Sequence, residues 1–360
     1  MFTPRALLAA VLLVLVCAVS TWLLAPRLLP GLRDVAPEGA RVLPSLADAQ
    51  GWLHSPPVEN AALAGKPTVV LLWSDTDPRA LAALPVLEAW QRAWEPHGVR
   101  VLAVHEPEFS FAADTTVPGA ITRAACPAVP IALDPAGRIA MALGGMTEGA
   151  RLLVTDEKGA IVVDTVGALT PAEDALNAWF ERAHPGVAAP PRLAPALPSG
   201  VRNVPIGAGL VAQGPLAGLT AGVEQVFVAP MRYEEQGAAW APYPVGGWRL
   251  EREGLVATRP GAANFVSIRY SAGRAGVVLS PPAGASARVW ILRNDQWPRA
   301  QDREADVVTD GRGAACIEVR ESRLYWFDRG DGERVVKLSP DAAGVTIHAF
   351  VFTDARASGR

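Results

Sequence analysis

Thr68-Val-Val-Leu-Leu-Trp73 is an apolar run with no alternation of polar and apolar residues. A strand of that kind must be covered on both faces, as in a parallel sheet flanked by helices. The neighbouring segments fit such a sheet. Pro78 to Trp94 sets Leu81, Leu84, Leu87, Trp90 and Trp94 on one helix face. Val99-Arg-Val-Leu-Ala-Val104 reads as a second buried strand. Leu152–Thr155 and Ala160–Asp164 flank the turn signal Glu157-Lys158-Gly159 and predict a hairpin. Pro171 to Ala183 predicts a closing helix, with Pro near its start and acidic residues in its first turn. The order β-α-β, then β-β-α, defines an α/β domain over residues 51–184.

Residues 185–200 are Pro/Ala-rich and aperiodic, the composition of a semi-rigid linker. Beyond 201 helical periodicity disappears. Short β-rich runs recur between turn residues: Phe265–Tyr270, Gly276–Leu279, Arg288–Leu292, Cys316–Val319, Arg323–Phe327, Arg334–Leu338 and Val345–Phe352. Their turns include Asn294-Asp295 and Arg329-Gly-Asp-Gly332. This predicts an all-β sandwich with jelly-roll-like topology over 201–355.

Ala6 to Leu24 is an uncharged run of 19 residues, long enough to cross a hydrocarbon core of ~30 Å as a helix. Residues 1–24 are therefore read as a membrane anchor or signal segment, and 25–50 as a spacer. The length favours an uncleaved anchor, although Ala18-Val19-Ser20 offers a poor cleavage site. Val16 before Cys17 disfavours lipoprotein processing. Arg5 favours a cytoplasmic N-terminus, while Arg27 and Arg33 oppose it. Retained or cleaved, the segment places the rest of the chain outside the cytoplasm. A net charge of −3 and a pI near 6.0 give no electrostatic basis for nucleic-acid binding. Lysine occurs only at 66, 158 and 337, and the richness in Arg, Ala and Pro is that of a GC-rich bacterial genome. Apart from Cys17, the cysteines are Cys126 and Cys316, one in each predicted domain and without CxxC spacing, so both are read as separate buried thiols.

Several motifs carry a resemblance. Trp52-Leu-His-Ser-Pro-Pro57, Leu63-Ala-Gly-Lys66, Leu84-Pro85 through Trp90, Val104-His-Glu-Pro-Glu-Phe-Ser-Phe111 and Pro130-Ile-Ala-Leu-Asp134 resemble the thioredoxin-like region of DipZ-type proteins. Trp248-Arg-Leu250, Val277-Val-Leu279, Glu318-Val319, Arg323-Leu-Tyr325 and Ala349–Phe352 resemble the β-sandwich that follows it in the same family. The likeness covers most of residues 51–355. It implies an α/β thioredoxin-like domain plus a β-sandwich, here preceded by one N-terminal transmembrane helix in place of the family's multi-span membrane domain. It also implies a bacterial inner-membrane, single-pass protein with its bulk in the periplasm. The associated processes are thiol–disulfide exchange and cytochrome c biogenesis.

The redox motif departs from the family. An ungapped count from Trp73 to Leu84-Pro85 puts the two cysteine positions of the family's CxxC at Asp77 and Ala80. Asp77 is a good N-cap and Pro78 suits the first helical position, so a carboxylate would satisfy the donors that otherwise stabilise a thiolate. Without two thiols there is no dithiol couple. The family's cis-proline position falls at Ala150, where a trans peptide is expected.

These readings predict a non-catalytic binding or scaffolding protein with an envelope protein partner, no cofactor and no metal. Asp75, Asp77, His105, Glu106 and Glu108 lie near the ends of the first two core strands, yet their spacing is not that of a metal site. Two alternatives remain open. Cys126, with Arg123 three residues away, is the candidate thiol of a one-cysteine oxidoreductase or peroxidase. Trp297, in the loop Asn294–Pro298, is the candidate aromatic for glycan binding by the sandwich, whose Trp248, Trp290, Tyr325 and Trp326 read as core.

Overall fold

The computed structural model describes residues 41–145, 149–208, 216, 219–228 and 238–354. The expected membrane helix and Cys17 lie outside the described residues. No helix among the described residues is long and apolar enough to cross a membrane.

The α/β part is built on six strands: β1 (Gly51–Leu53), β2 (Thr68–Trp73), β3 (Arg100–His105), β4 (Ile131–Leu133), β5 (Arg151–Thr155) and β6 (Ile161–Val166). They lie in the order β1-β4-β3-β2-β5-β6. β2, β3 and β4 run parallel, and β1, β5 and β6 join antiparallel. Every residue of β2 is buried, as its continuous apolar run requires. Helix α2 (Pro78–Trp94; α1 is Asn60–Leu63) buries Leu84, Leu87, Trp90 and Trp94 against the sheet. Helices α3 (Thr116–Ala125), α4 (Arg138–Ala142) and α5 (Thr170–Ala183) complete the layers. A parallel β-α-β unit followed by an antiparallel hairpin and a closing helix is the thioredoxin arrangement expected from the sequence.

The β part contains β7 (Arg202–Pro205), β8 (Glu224–Phe227), β9 (Tyr243–Glu251), β10 (Gly254–Ala257), β11 (Phe265–Ser271), β12 (Arg274–Ser280), β13 (Ala287–Arg293), β14 (Val307–Thr309), β15 (Ala315–Val319), β16 (Arg323–Arg329), β17 (Glu333–Pro340) and β18 (Thr346–Thr353). Two four-stranded layers, β15-β13-β17-β11 and β10-β18-β12-β16, are joined through β9. Their interleaving is that of a double-sheet jelly roll. β9 pairs with β11 through Tyr243–Val245 and with β10 through Trp248–Glu251. Gly246, at φ 92°, makes the turn between the two layers, where a Cβ would stand 2.3 Å from Asn264 Oδ1. Trp248, Tyr270, Phe327, Phe350 and Phe352 fill the space between the layers.

Two segments read as spacers are built into the α/β part. Leu46 is buried, Leu43 and Ala49 pack beside it, and Asn60 Oδ1 accepts from Leu46 N at 2.8 Å. The Pro/Ala-rich segment is a strap whose Leu193, Ala194 and Leu197 rest on the α/β core. Its amides at Leu193 and Ala194 donate to the buried Glu173 carboxylate of α5, at 2.5 and 3.2 Å. Composition conceals this attachment because the partner that anchors the strap lies on another element.

The two parts meet along an apolar seam. Phe109 and Phe111, from the loop after β3, and Leu81 of α2 pack on Val278, Leu324, Trp326, Ala349 and Val351 of the outer β-layer. Alternation explains why that layer is apolar on both faces. Val277, Leu279, Phe350 and Phe352 point into the sandwich, while Val278, Ala349 and Val351 point out.

Candidate functional site

The C-terminal ends of β2 and β3 and the start of α2 converge on one region. Trp73 and His105 are paired across the two strands, with ring centroids 4.5 Å apart. Beyond Trp73 the chain turns through Ser74, Asp75 and Thr76, all buried, into α2. Asp77 is the N-cap. One of its oxygens, Oδ1, accepts from the amides of Arg79 at 2.7 Å and Ala80 at 3.1 Å, and Pro78 occupies the first helical turn. The carboxylate thus holds two of the free amides at the start of the helix. Ala80 is wholly buried against the core.

The groove beside this helix end is narrowed from within. The Arg79 side chain crosses to the strap, where Nε donates to the carbonyl of Pro198 at 3.2 Å. It lies over Gly149 and Gly167, where added Cβ atoms would come within 3.0 and 3.4 Å of it. Ala150 is buried at the start of β5, and no cis peptide bond occurs among the described residues. The backbone at Gly149 thus lies under the Arg79 guanidinium.

The β part closes the other side. Thr76 Oγ1 donates to Glu108 Oε2, and Asn203 Nδ2 of β7 donates to Glu108 Oε1 at 2.6 Å. A cavity of about 350 Å³ remains, lined by Asp77, Arg79, Glu106, Glu108, Asn203 and Val351 among others. Burial raises the Glu108 carboxyl above its ordinary value, opposed by its bonds from Thr76 and Asn203. Burial, and then the charge of Asp134, raises Glu106. His105 Nε2 lies 3.3 Å from Asp75 Oδ1, both buried. Among the described residues no group of three or more His, Cys, Asp or Glu side chains is placed to hold a metal ion.

The other candidates lie elsewhere. Cys126 caps the C-terminal end of α3 and is fully buried. Burial pushes its thiol up to about 12, and the charge that reaches it is Glu88, which raises it further. This corrects the expectation of a thiol activated by Arg123: a thiolate here would be desolvated and would face an anion. Cys316 is free and buried in β15. Trp297 is 45% exposed and meets Trp290 edge to face, whereas Trp248 and Tyr325 are core residues. Trp326 lies on the seam, with the Arg274 guanidinium 4.1 Å from its ring centroid. Sequence reasoning singled out Glu108 but not its partner Asn203, and neither Arg79 nor Glu173. Their partners lie on distant elements, and no local spacing marks them.

No family model matches the chain. Over 103 residues it is 31% identical to Protein DipZ of Mycobacterium bovis (strain ATCC BAA-935 / AF2122/97) and to that of Mycobacterium tuberculosis (strain CDC 1551 / Oshkosh). The match takes in 27% of this chain and 14% of the length of those relatives. Similar solved structures include a thioredoxin-like superfamily protein, at 22% identity over 42% of this chain and 100% of the other, with a TM-score of 0.36. A secreted Mycobacterium tuberculosis disulfide oxidoreductase matches at 17% identity over 39% of this chain and 96% of the other, with a TM-score of 0.30.

Proposed function

We propose that this chain, which carries a DipZ-type thioredoxin-like domain, is an envelope protein that performs no dithiol–disulfide exchange and serves as a binding or scaffolding unit. The observation that carries the reading is Asp77, whose carboxylate accepts both first-turn amides at the helix end where a redox thiolate would sit. The free thiols Cys126 and Cys316 are buried in different sheet systems, so among the described residues no pair of thiols stands ready for exchange. Arg79 crosses the neighbouring groove to the strap and narrows it, which supports a role other than presenting a peptide to sulfur chemistry.

The reading includes a single N-terminal membrane helix over residues 6–24, placement of the remaining chain in the periplasm, and an envelope protein partner. The apolar run and the resemblance to DipZ support these assignments. Insulin reduction by the protein tests the redox part. Turnover that persists in Cys126→Ser with Cys316→Ser would overturn it. Crosslinking and pulldown from membranes, comparing the full chain with versions lacking either part, tests the scaffold role. Recovery of no partner by any of them would remove that role.

A further inference from the structure

The outer face of the β-layer carries a second constellation, at the end of the seam and away from Asp77. Ser280 ends β12, Ser322 precedes β16 and His348 lies on β18, and the register brings the three together. Ser280 Oγ is 2.7 Å from His348 Nε2, and His348 Nδ1 is 2.6 Å from the carbonyl oxygen of Glu253. A carbonyl only accepts, so the proton of the neutral ring sits on Nδ1 and Nε2 is the acceptor. Ser280 therefore donates its hydroxyl proton to Nε2. Ser322 Oγ in turn donates to Ser280 Oγ at 2.7 Å.

The strand geometry is arranged around this contact. Val278 pairs with Ala349 but Leu279 pairs with Ile347, so His348 is the extra residue of a β-bulge. A bulge re-aims a side chain that regular pleating would send elsewhere. Gly254 leaves the space the ring needs: a Cβ there would stand 3.1 Å from His348 Nδ1 and 2.6 Å from Thr346 Cγ2. Phe109 and Phe111 hold the ring from the other side, with centroids 5.0 and 5.1 Å away. His348 is 7% exposed, whereas Ser280 is only half-buried.

A nucleophile within hydrogen-bond reach of a base that a third group orients is the signature of covalent catalysis. We propose that Ser280 is an activated nucleophile with His348 as its general base and the Glu253 carbonyl as the group that fixes the ring, and that the pair accepts acyl groups from neutral carboxylic esters. The ester class follows from the surroundings. The rings packed on His348 are aromatic, and the charges that act on it, the carboxylates of Glu253 and Asp75, disfavour an anionic substrate. In the step, Ser280 Oγ bonds to the carbonyl carbon and its proton passes to His348 Nε2. The C–O bond to the leaving alcohol breaks, and that proton leaves with the alcohol. Water then hydrolyses the acyl-serine by the reverse proton path. The reacting groups include neither Asp77 nor Ala80, so this proposal and the redox reading can fail separately, although the charge of Asp75, in the turn before α2, reaches the His348 ring.

The test is labelling of the full chain with an alkyl fluorophosphonate, in which an Oγ–P bond replaces P–F and fluoride departs. One adduct is expected, on Ser280, with none in Ser280→Ala. The rate should fall at least about 100-fold in His348→Gln and stay within a few-fold in Ser322→Ala, which keeps the base. The wild-type rate should rise with pH through the titration of His348. Burial lowers that titration below the ordinary histidine value, against Glu253 and Asp75, which raise it. p-Nitrophenyl acetate should release about one equivalent of nitrophenol in a burst. No adduct, an adduct on another residue, a flat pH profile, or an undiminished rate in a folded His348→Gln would each overturn the proposal.

Discussion

Replacing Asp77 by alanine removes one side chain and leaves two amides, those of Arg79 and Ala80, without their acceptor. Loss of an N-cap of this kind costs about 1 kcal/mol, equivalent to roughly a five-fold rise in the open population of the first turn. Global unfolding is a poor readout, because a chain with two sheet systems need not unfold in one step. Amide hydrogen exchange is local, and Arg79 and Ala80 report on the cap directly. Their exchange in Asp77→Ala should accelerate about five-fold while that of Val70, at the centre of β2, is unchanged. Asp77→Asn keeps an acceptor of similar capping strength and should stay within about two-fold of the parent. Unaltered exchange at both amides in Asp77→Ala would refute the assignment of the carboxylate as the group that replaces a thiolate. An equal acceleration at Val70 would refute its local action.

Four further outcomes follow from the same geometry. Asp77→Cys with Ala80→Cys should form a disulfide that small thiols reduce, yet insulin reduction should stay slow because Arg79, the strap and the β part occupy the approach; rapid insulin turnover would refute the occlusion. Cys126, with its thiol pushed up to about 12, should resist a maleimide at pH 8 until the protein is denatured, and fast labelling of the native state would contradict its burial. Glu108 is raised in the folded state, so it binds more proton there than when unfolded, and its contribution to stability is full below the unfolded carboxyl value and declines as pH rises through the folded one. Glu108→Gln should therefore flatten the dependence of the urea midpoint on pH in the weakly acidic range, and parallel curves would count against the assignment. Phe109→Ala, at a position 1% exposed in the seam, should cost about 3–5 kcal/mol, and a loss below 1 kcal/mol would show the seam to be loosely packed.

Much of the scaffold is legible in local pattern. Continuous burial marks β2, helical spacing marks α2, and the turn at Glu157-Lys158-Gly159 marks the β5–β6 hairpin. Elements whose stability is borrowed are harder to read. α3 carries Gly119 in its first turn, a residue that weakens a helix, and it is held by packing against α2. β14 is three residues long and survives only as the partner of β15. At the site, the count from Trp73 to Leu84-Pro85 locates Asp77 at the helix end. The occupation of the groove by Arg79 depends on glycines at 149 and 167 and on Pro198, none of which is near it in the chain. The motif from Val104 to Phe111 is visible as a resemblance, whereas its work as the buried half of a contact emerges only when β12, β16 and β18 are placed beside it.

The strap over residues 193–198 also governs how the molecule can be divided. A protease or an engineer guided by composition would cut there, between one sheet system and the next. Severing it would take from the Glu173 carboxylate the amides of Leu193 and Ala194, and from Arg79 its carbonyl. It would also bare the phenylalanines that abut the jelly roll. Fragments made at this border should therefore be stickier and less soluble than the parent, and a fragment library that seeks independent halves will find better ones by keeping the junction whole.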